Sequence, residues 1–134
     1  MKAKFYKCPH CGNIVMMLVD SGVTPVCCGE KMTMIVAGTS DGSVEKHLPV
    51  WSYENGVLWV RVGTQEHPMS EEHHIAWIAV ETKSGYQLKF LKHCCYPEVQ
   101  FALIPYDEVV HVYSYCNIHG LWSSSVTNKT TYPK

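Results

Sequence analysis

Residues 48–63 read LPVWSYENGVLWVRVG and predict a β-hairpin. Asn55 and Gly56 suit the two central positions of a type I′ turn, where both residues need a positive φ. The residues on either side are mostly β-branched or aromatic, as strands prefer. This hairpin is the clearest local signal in the chain, and it favours antiparallel β-structure.

The same pattern continues on both sides of further turn residues. HIAWIAVET (residues 74–82) and YQLKFLK (86–92) flank a Ser-Gly pair, and VQFALI (99–104) and EVVHVYSY (108–115) are further candidate strands. No segment has a convincing amphipathic helical period. Several short strands at close spacing predict an all-β sandwich of about 90 residues, with Trp77 as a core candidate.

The composition limits the classes of partner and the cellular compartment that we expect for this protein. The chain has 134 residues, 46% of them hydrophobic and 17% charged, and a net charge of -1 that gives no global field for nucleic acid or an anionic membrane. It has neither a secretory-type start nor an apolar run near the roughly 20 residues of a membrane span. We therefore expect a cytoplasmic protein, where its seven cysteines stay reduced and favour metal binding over disulfides.

Four cysteines fall within the first 36 residues: Cys8, Cys11, Cys27 and Cys28. CPHCG is a compact chelating turn, whereas the adjacent Cys27 and Cys28 can bind one ion only if the backbone is distorted there. Gly29 supplies the flexibility. A unit this short needs such a staple, and four thiolates accommodate zinc or iron about equally well.

A second set of metal-ligand residues is spread over the rest of the chain: His47, His67, His73, His74, Cys116 and His119. His67 and His73 are six residues apart around Pro68, so they indicate an irregular loop and not one face of a helix. Adjacent His73 and His74 point in different directions, so one of them is a spare. Several imidazoles with one thiolate suit a redox-active transition metal better than a hard cation.

These motifs together resemble a known family. YKCPHCGN, CCGEKM, GTSDG, EKHLPV, HPM, EEHHIAWI and YCNIHGLW, taken in order from about Tyr6 to Trp122, are similar to the desulfoferrodoxin family of superoxide reductases, in its two-iron form. The resemblance implies a rubredoxin- or desulforedoxin-like iron domain at residues 1–36 and an immunoglobulin-like superoxide reductase domain at 37–124. Residues 125–134 are then a polar tail.

The resemblance also implies the two sites. Cys8, Cys11, Cys27 and Cys28 would hold a rubredoxin-type iron; His47, His67, His73 and His119 would be equatorial ligands of a reactive iron, with Cys116 axial. The sixth position of that iron would stay open for superoxide, which is reduced by one electron to hydrogen peroxide. The family implies a homodimer that is re-reduced by an electron donor such as rubredoxin.

Two residues beside His47 complete the implied site. Lys46 would attract superoxide, because a unit charge at about 4 Å is worth on the order of 4 kcal/mol at an effective dielectric of about 20. Glu45 would occupy the sixth position after peroxide has left. The Cys116 thiolate, opposite that position, would weaken the bond to the product.

The sequence is also compatible with other functions. The chain could be a non-enzymatic electron-transfer or zinc- or iron-binding module, and a superoxide dismutase is a weaker third hypothesis. We interpret Cys94 and Cys95 as surface thiols or small, partly buried residues, and His93 and His111 as non-ligands.

Overall fold

The computed structural model describes residues 3–38, 42, 44–93 and 95–125, and of Glu45 it describes the backbone alone. The chain divides into two compact units, residues 1–36 and 37–134. Cys94 and residues 126–134, which make up most of the expected polar tail, lie outside the described residues.

The first unit is a small β-structure. Its strands are β1 (Lys4–Lys7), β2 (Ile14–Met17), β3 (Val26–Cys27), β4 (Glu30–Lys31) and β5 (Thr33–Ile35). They form an antiparallel sheet in the order β2-β1-β5 and a two-stranded ribbon of β3 and β4. Phe5, Cys8 and Met32 are its buried apolar residues. A core this small agrees with the expectation of a metal staple.

Among its described residues, the second unit has seven strands and one helical turn. They are α1 (Val44–His47), β6 (Pro49–Glu54), β7 (Val57–Val62), β8 (Ile75–Thr82), β9 (Tyr86–Phe90), β10 (Glu98–Ala102), β11 (Val109–Cys116) and β12 (Gly120–Ser125). One sheet has the order β10-β7-β6 and the other the order β12-β11-β8-β9. The predicted all-β class is confirmed, and seven strands in two sheets is the count of a constant-type immunoglobulin sandwich.

The predicted hairpin of β6 and β7 is confirmed. Glu54 pairs with Val57 across the turn, and Asn55 and Gly56 have φ values of 52° and 79°. Positive φ at both central residues is the requirement of a type I′ turn, which matches the twist of the flanking strands.

The core lies between the two sheets. Leu58, Val60 and Val62 of β7 meet Ile78 and Val80 of β8, and all five are fully buried. Because side chains alternate along a strand, these positions share one face of each sheet. This packed layer holds the strands whose ends carry the metal-ligand residues.

Trp77 is buried, as predicted, but it does not belong to that core layer. It alternates with Ile78 on β8 and stacks on Tyr115 of β11, its cross-strand partner, with ring centroids 5.3 Å apart. The strand period therefore places this aromatic pair on the opposite face of the sheet.

Three local expectations differ from the structure. Val44–His47 lie in the Gly- and Ser-rich stretch AGTSDGSVEKH (residues 37–47), whose composition predicts a connecting loop, but they form the helical turn α1. The sequence also predicts that His73 alternates with Ile75 and Trp77 on one strand, but His73 precedes β8, which begins at Ile75. Ser125, expected to start the tail, pairs with His111 in β12, because the backbone ladder continues through a polar segment that has no hydrophobic alternation.

Among the described residues, no helix is long and apolar enough to cross a membrane. The helical turn α1 has four residues, far from the roughly 20 that a span requires.

Asp107 gives the fold a measurable acid sensitivity. Its carboxylate accepts hydrogen bonds from Ser84 Oγ at 2.7 Å and Thr82 Oγ1 at 2.8 Å, which lower its pKa from the ordinary value of 3.8. The charged form is favoured in the folded state, so this stabilisation is complete above pH 3.8 and disappears as the pH falls through the lower folded pKa. We expect Asp107→Asn to lower the free energy of unfolding at pH 7, with the difference from wild type shrinking in acid.

Urea unfolding at a series of pH values measures this difference. Glu108→Gln is a matched control, since Glu108 pairs with Lys83 at the surface and exposed ion pairs contribute only about 0–1 kcal/mol. A difference between wild type and Asp107→Asn that stays constant down to pH 2 would contradict the assignment.

Candidate metal centres

Five side chains from separate elements converge at one end of the sandwich. His47 ends α1, His67 lies in the loop after β7, His73 precedes β8, Cys116 ends β11 and His119 lies in the turn to β12. One potential ligand atom from each lies within 4.8 Å of all the others. The fold thus brings together, at the ends of the sheets, residues that span 73 positions of the sequence, from 47 to 119.

The four imidazoles form a closed ring. Neighbouring ring centroids are 4.6 Å apart for His47 and His67, 4.7 Å for His67 and His73, 5.0 Å for His73 and His119, and 4.7 Å for His119 and His47. His47 and His73 lie across the ring at 6.4 Å. This is the arrangement expected of four equatorial ligands around one ion, with His47 opposite His73.

The nitrogens that face one another within the ring indicate which kind of ligand the ring can bind. His47 Nε2 is 3.1 Å from His67 Nε2 and 3.0 Å from His119 Nδ1, and a neutral imidazole has only one N–H to share. His73 Nε2 is buried and has no hydrogen-bond partner among the described residues. Converging lone pairs with an orphaned nitrogen fit a cation at their centre.

Hydrogen bonds to backbone carbonyls around the ring fix the orientation of its imidazoles. The Nδ1–H of His67 donates to Pro68 O at 2.7 Å, so the Nε2 lone pair faces the ring. Ser114 Oγ donates to the carbonyl of His47 at 2.9 Å, and Trp122 Nε1 donates to that of His119 at 3.1 Å. Ser114 and Trp122 are supporting residues that the sequence did not identify, because nothing in SYC or GLW marks them as such.

Cys116 supplies the sulfur of the five-donor set, and its Sγ lies 3.7 Å from His119 Nδ1. Its side chain is fully buried within the hydrophobic core, and the backbone N–H of His119 donates to Sγ at 3.3 Å. Cys116 is therefore both a core residue and a candidate axial ligand.

Gly42 packs directly against this ring. A methyl group added at its Cα would lie 3.1 Å from both His119 Cγ and His47 Cε1, and its φ of 148° disfavours other residues. The glycine in the motif GTSDG was a signal available in the sequence, but only the structure shows what the missing side chain leaves room for.

Burial disfavours the charged forms of His67 and His73. Desolvation lowers the pKa of His67 to about 4, and the hydrogen bond to Pro68 O opposes this only in part. The pKa of His73 is also lowered, first by burial and then by His119 and His47. Neutral imidazoles at pH 7 are what a metal requires of its ligands.

A cavity of about 500 Å³ opens beside the ring. Its walls include His67 and Lys46, with Met69, Cys95 and Tyr96. The Lys46 side chain is exposed, so its charge reaches solvent from the edge of the site. Glu45 belongs to α1, but its side chain is outside the described part of the chain.

Cys8, Cys11, Cys27 and Cys28 form a separate cluster within the first unit. Their sulfur atoms all lie within 4.8 Å of one another. The predicted backbone distortion at the adjacent pair is present, because Cys28 has a φ of 51° and Gly29 one of 74°. Both vicinal thiols can therefore face the same point.

The thiols of this cluster cannot all ionise without a cation. Backbone N–H donors at Cys11 and His10 lower the pKa of Cys8 to about 6, against the opposing effect of burial. Cys11 and Cys8 then raise the pKa of Cys28 to about 12. A bound metal removes this repulsion by replacing the protons.

The remaining candidates lie outside both clusters. His74 turns away from the ring, and its Nδ1–H donates to Ser70 O. His93 is exposed and lies near His74, while His111 lies beside Glu81. Cys95 is exposed, as expected of a surface thiol, and Cys94 is outside the described residues.

Comparisons with known proteins agree with this geometry. The desulfoferrodoxin family model matches residues 39–125, and the model of the desulfoferrodoxin N-terminal domain matches residues 1–35. A desulfoferrodoxin of Nitratidesulfovibrio vulgaris is 46% identical over 90% of this chain and 94% of its own length.

Two solved structures are also similar. The superoxide reductase of Treponema pallidum has a TM-score of 0.79 and 36% identity, and the match covers 93% of this chain and all of that one. The superoxide reductase (1Fe-SOR) of Giardia intestinalis has a TM-score of 0.51 and 26% identity over 60% of this chain and 95% of its own. Because family models match residues 1–35 and 39–125, and a relative is 46% identical over 90% of this chain, the chain belongs to the desulfoferrodoxin family.

Proposed function

We propose that this protein is a superoxide reductase: it converts superoxide, one electron and two protons into one molecule of hydrogen peroxide. The observation that carries the proposal is the ring of four imidazoles with a buried thiolate beside it. Relatives of this chain include proteins named superoxide reductase. A donor-dependent assay of superoxide consumption tests it.

Two donor sets fit two irons per chain. The four-cysteine cluster fits a rubredoxin-type iron, and the five-donor cluster fits a reactive iron. His47, His67, His73 and His119 would hold the reactive iron through imidazole nitrogens, and Cys116 would hold it through its sulfur. The iron would supply the electron that reduces superoxide.

The domain division follows from these sites. We assign residues 1–36 as a desulforedoxin-like iron domain and, because β12 ends at Ser125, residues 37–125 as the immunoglobulin-like reductase domain, followed by a polar tail. Each compact unit carries one complete donor set. Each domain thus has its own metal.

The chain's own residues bind and orient the anion. Lys46 presents a positive charge at the cavity beside His67, where it attracts superoxide and orders the water that delivers protons. Cys116 would hold the iron through its buried sulfur, which accepts a hydrogen bond from the His119 N–H. Glu45 is proposed to close the open position once the product has left.

The partners follow from the reaction and the surface. Each turnover consumes an electron, so the protein needs a donor, and a small carrier such as rubredoxin is the proposed one. We propose a homodimer in the cytoplasm, supported by a concentration of exposed apolar side chains in the first unit: Leu18, Val19, Val23 and Val26. A second copy would remove them from water.

A non-enzymatic electron carrier or zinc-binding module is the second candidate. Such a module needs the four-cysteine cluster, but it has no use for five converging donors beside a cavity with a lysine. Superoxide dismutase activity would need the same site to oxidise superoxide as well. Oxygen release in the absence of a donor distinguishes that activity.

Cys116→Ala tests the axial ligand. We expect the protein to keep the visible bands of the four-thiolate iron, because that cluster lies in the other unit. The thiolate-to-iron band of the second site should disappear, and donor-dependent superoxide reduction should fall to background. Metal analysis and visible spectroscopy of wild type and variant give the result.

Wild-type protein with only one tightly held metal would refute the two-iron assignment. Unchanged superoxide consumption in Cys116→Ala would refute the role of the thiolate. His111→Gln is the control, since His111 lies outside both clusters.

Lys46→Ala tests electrostatic attraction. We expect the second-order rate of the reduced protein with superoxide to fall roughly tenfold, the low end of steering effects, and to lose most of its dependence on ionic strength. Lys46→Arg should retain most of the rate because it keeps the charge. Pulse radiolysis measures the rate directly.

Lys83→Ala is the matched control for charge. Lys83 follows β8, whose eight residues extend about 26 Å at roughly 3.3 Å per residue, well beyond a Debye length of about 8 Å in physiological salt. An equal loss of rate in both alanine variants would show that net charge, and not Lys46, attracts the anion.

Val19→Lys tests the proposed homodimer. Val19 is 83% exposed in the single chain, so a lysine costs the isolated chain little, whereas burying its charge between copies is costly. We expect the wild type to sediment as a dimer and the variant as a monomer. Tyr106→Lys, at a residue of the second unit that is 94% exposed, should leave the dimer intact, and a monomeric wild type would contradict the proposal.

A further inference from the structure

One histidine pair stands outside both metal clusters. His74 turns away from the imidazole ring, and its own ring lies 5.8 Å from that of His93, with an angle of 43° between the planes. We infer that His74 and His93 form a surface site for a borderline divalent cation such as Zn²⁺. The inference does not depend on superoxide reduction.

His74 is held in the form that binds metal. Its Nδ1–H donates to Ser70 O at 2.9 Å, which fixes the tautomer and leaves the lone pair on Nε2. Metal-binding histidines almost always donate their other ring N–H to a carbonyl or carboxylate in this way. The side chain is therefore oriented before any ion arrives.

The backbone of His74 is fixed as well. Its N–H donates to Asn117 Oδ1 at 2.8 Å, and its carbonyl accepts the Asn117 N–H at 3.1 Å. Asn117 Nδ2 in turn donates to the carbonyl of Glu72. The loop before β8 is thus tied to the turn after β11, so one ligand of the pair sits on a rigid support.

The spacing of the two rings suits one shared ion. In the five-donor cluster, neighbouring rings lie 4.6 to 5.0 Å apart and the opposite pair of His47 and His73 lies 6.4 Å apart. The value of 5.8 Å for His74 and His93 falls between those limits. Two imidazoles at this spacing can reach the same cation with an angle wider than that of neighbouring equatorial ligands.

The donor type selects the cation. Imidazole suits zinc, copper and nickel, whereas calcium and magnesium prefer oxygen ligands. His93 is exposed, so water completes the coordination, and we expect weaker binding than at the two larger clusters. The surface site should therefore fill only after those clusters are occupied.

Zinc titration of the intact chain tests the site. The protein is first loaded with iron at both clusters, and Zn²⁺ is added at fixed pH without air while calorimetry records the heat and visible spectra confirm that iron stays bound. We expect one zinc per chain beyond the iron. The affinity should fall at least about tenfold in His74→Gln and in His93→Gln, since even loss of a supporting partner costs that much.

Two controls decide which residues hold the zinc. His111→Gln removes a histidine whose ring lies beside Tyr113, 5.9 Å away, and it should leave the titration unchanged. Cys94→Ser/Cys95→Ser should also retain the zinc, and the imidazole ¹⁵N signals of His74 and His93 should shift as it binds. Zinc affinity that survives either histidine substitution, or that disappears in the double serine variant, overturns the inference.

Discussion

Four imidazole nitrogens and one cysteine sulfur are held within 4.8 Å of one another. Two of the nitrogen pairs are only 3.0 and 3.1 Å apart, and the fourth imidazole leaves a buried nitrogen without a partner in the described part of the chain. Packing and hydrogen bonds in the rest of the second unit hold these donor atoms in place. Packing of two sheets places the ends of β8 and β11 beside α1, and hydrogen bonds from Ser114 and Trp122 fix the loops.

The thiolate links this site to the stability of the sandwich. Cys116 belongs to the same buried cluster as Ile75 and Val112, so it can shift only if the core shifts. The imidazoles come from loops and turns, where the backbone can adopt the irregular paths that convergence needs. The core thus holds the sulfur donor and the loops hold the imidazoles, while Lys46 lines a cavity beside His67.

The two units use metal for different purposes. The first has few buried apolar residues, and Cys11 and Cys8 raise the pKa of Cys28, so a cation that replaces the thiol protons both neutralises and stabilises it. The second has a continuous apolar core that supports the sandwich by itself. Iron there is available for chemistry because the fold does not depend on it for a core.

Short-range sequence patterns predicted much of the local structure. The Asn55-Gly56 turn, the strand alternation and the chelating CPHC spacing are short-range signals, and the structure agrees with each of them. Where neighbours in sequence say little, the predictions failed: α1 was expected to be loop, and β12 continues through serines because its partner strand, and not hydrophobicity, holds it.

The sequence by itself determined the residue types, the fold class and the family, because these depend on patterns within short stretches. Only the tertiary structure decided that His73 joins the ring while His74 turns to Ser70, that His47 lies opposite His73, and that Gly42 leaves room beside them. These outcomes depend on where strand ends and loops meet after the sheets have packed. No short sequence pattern predicts which of these side chains meet, because their contacts join residues that are far apart in the chain.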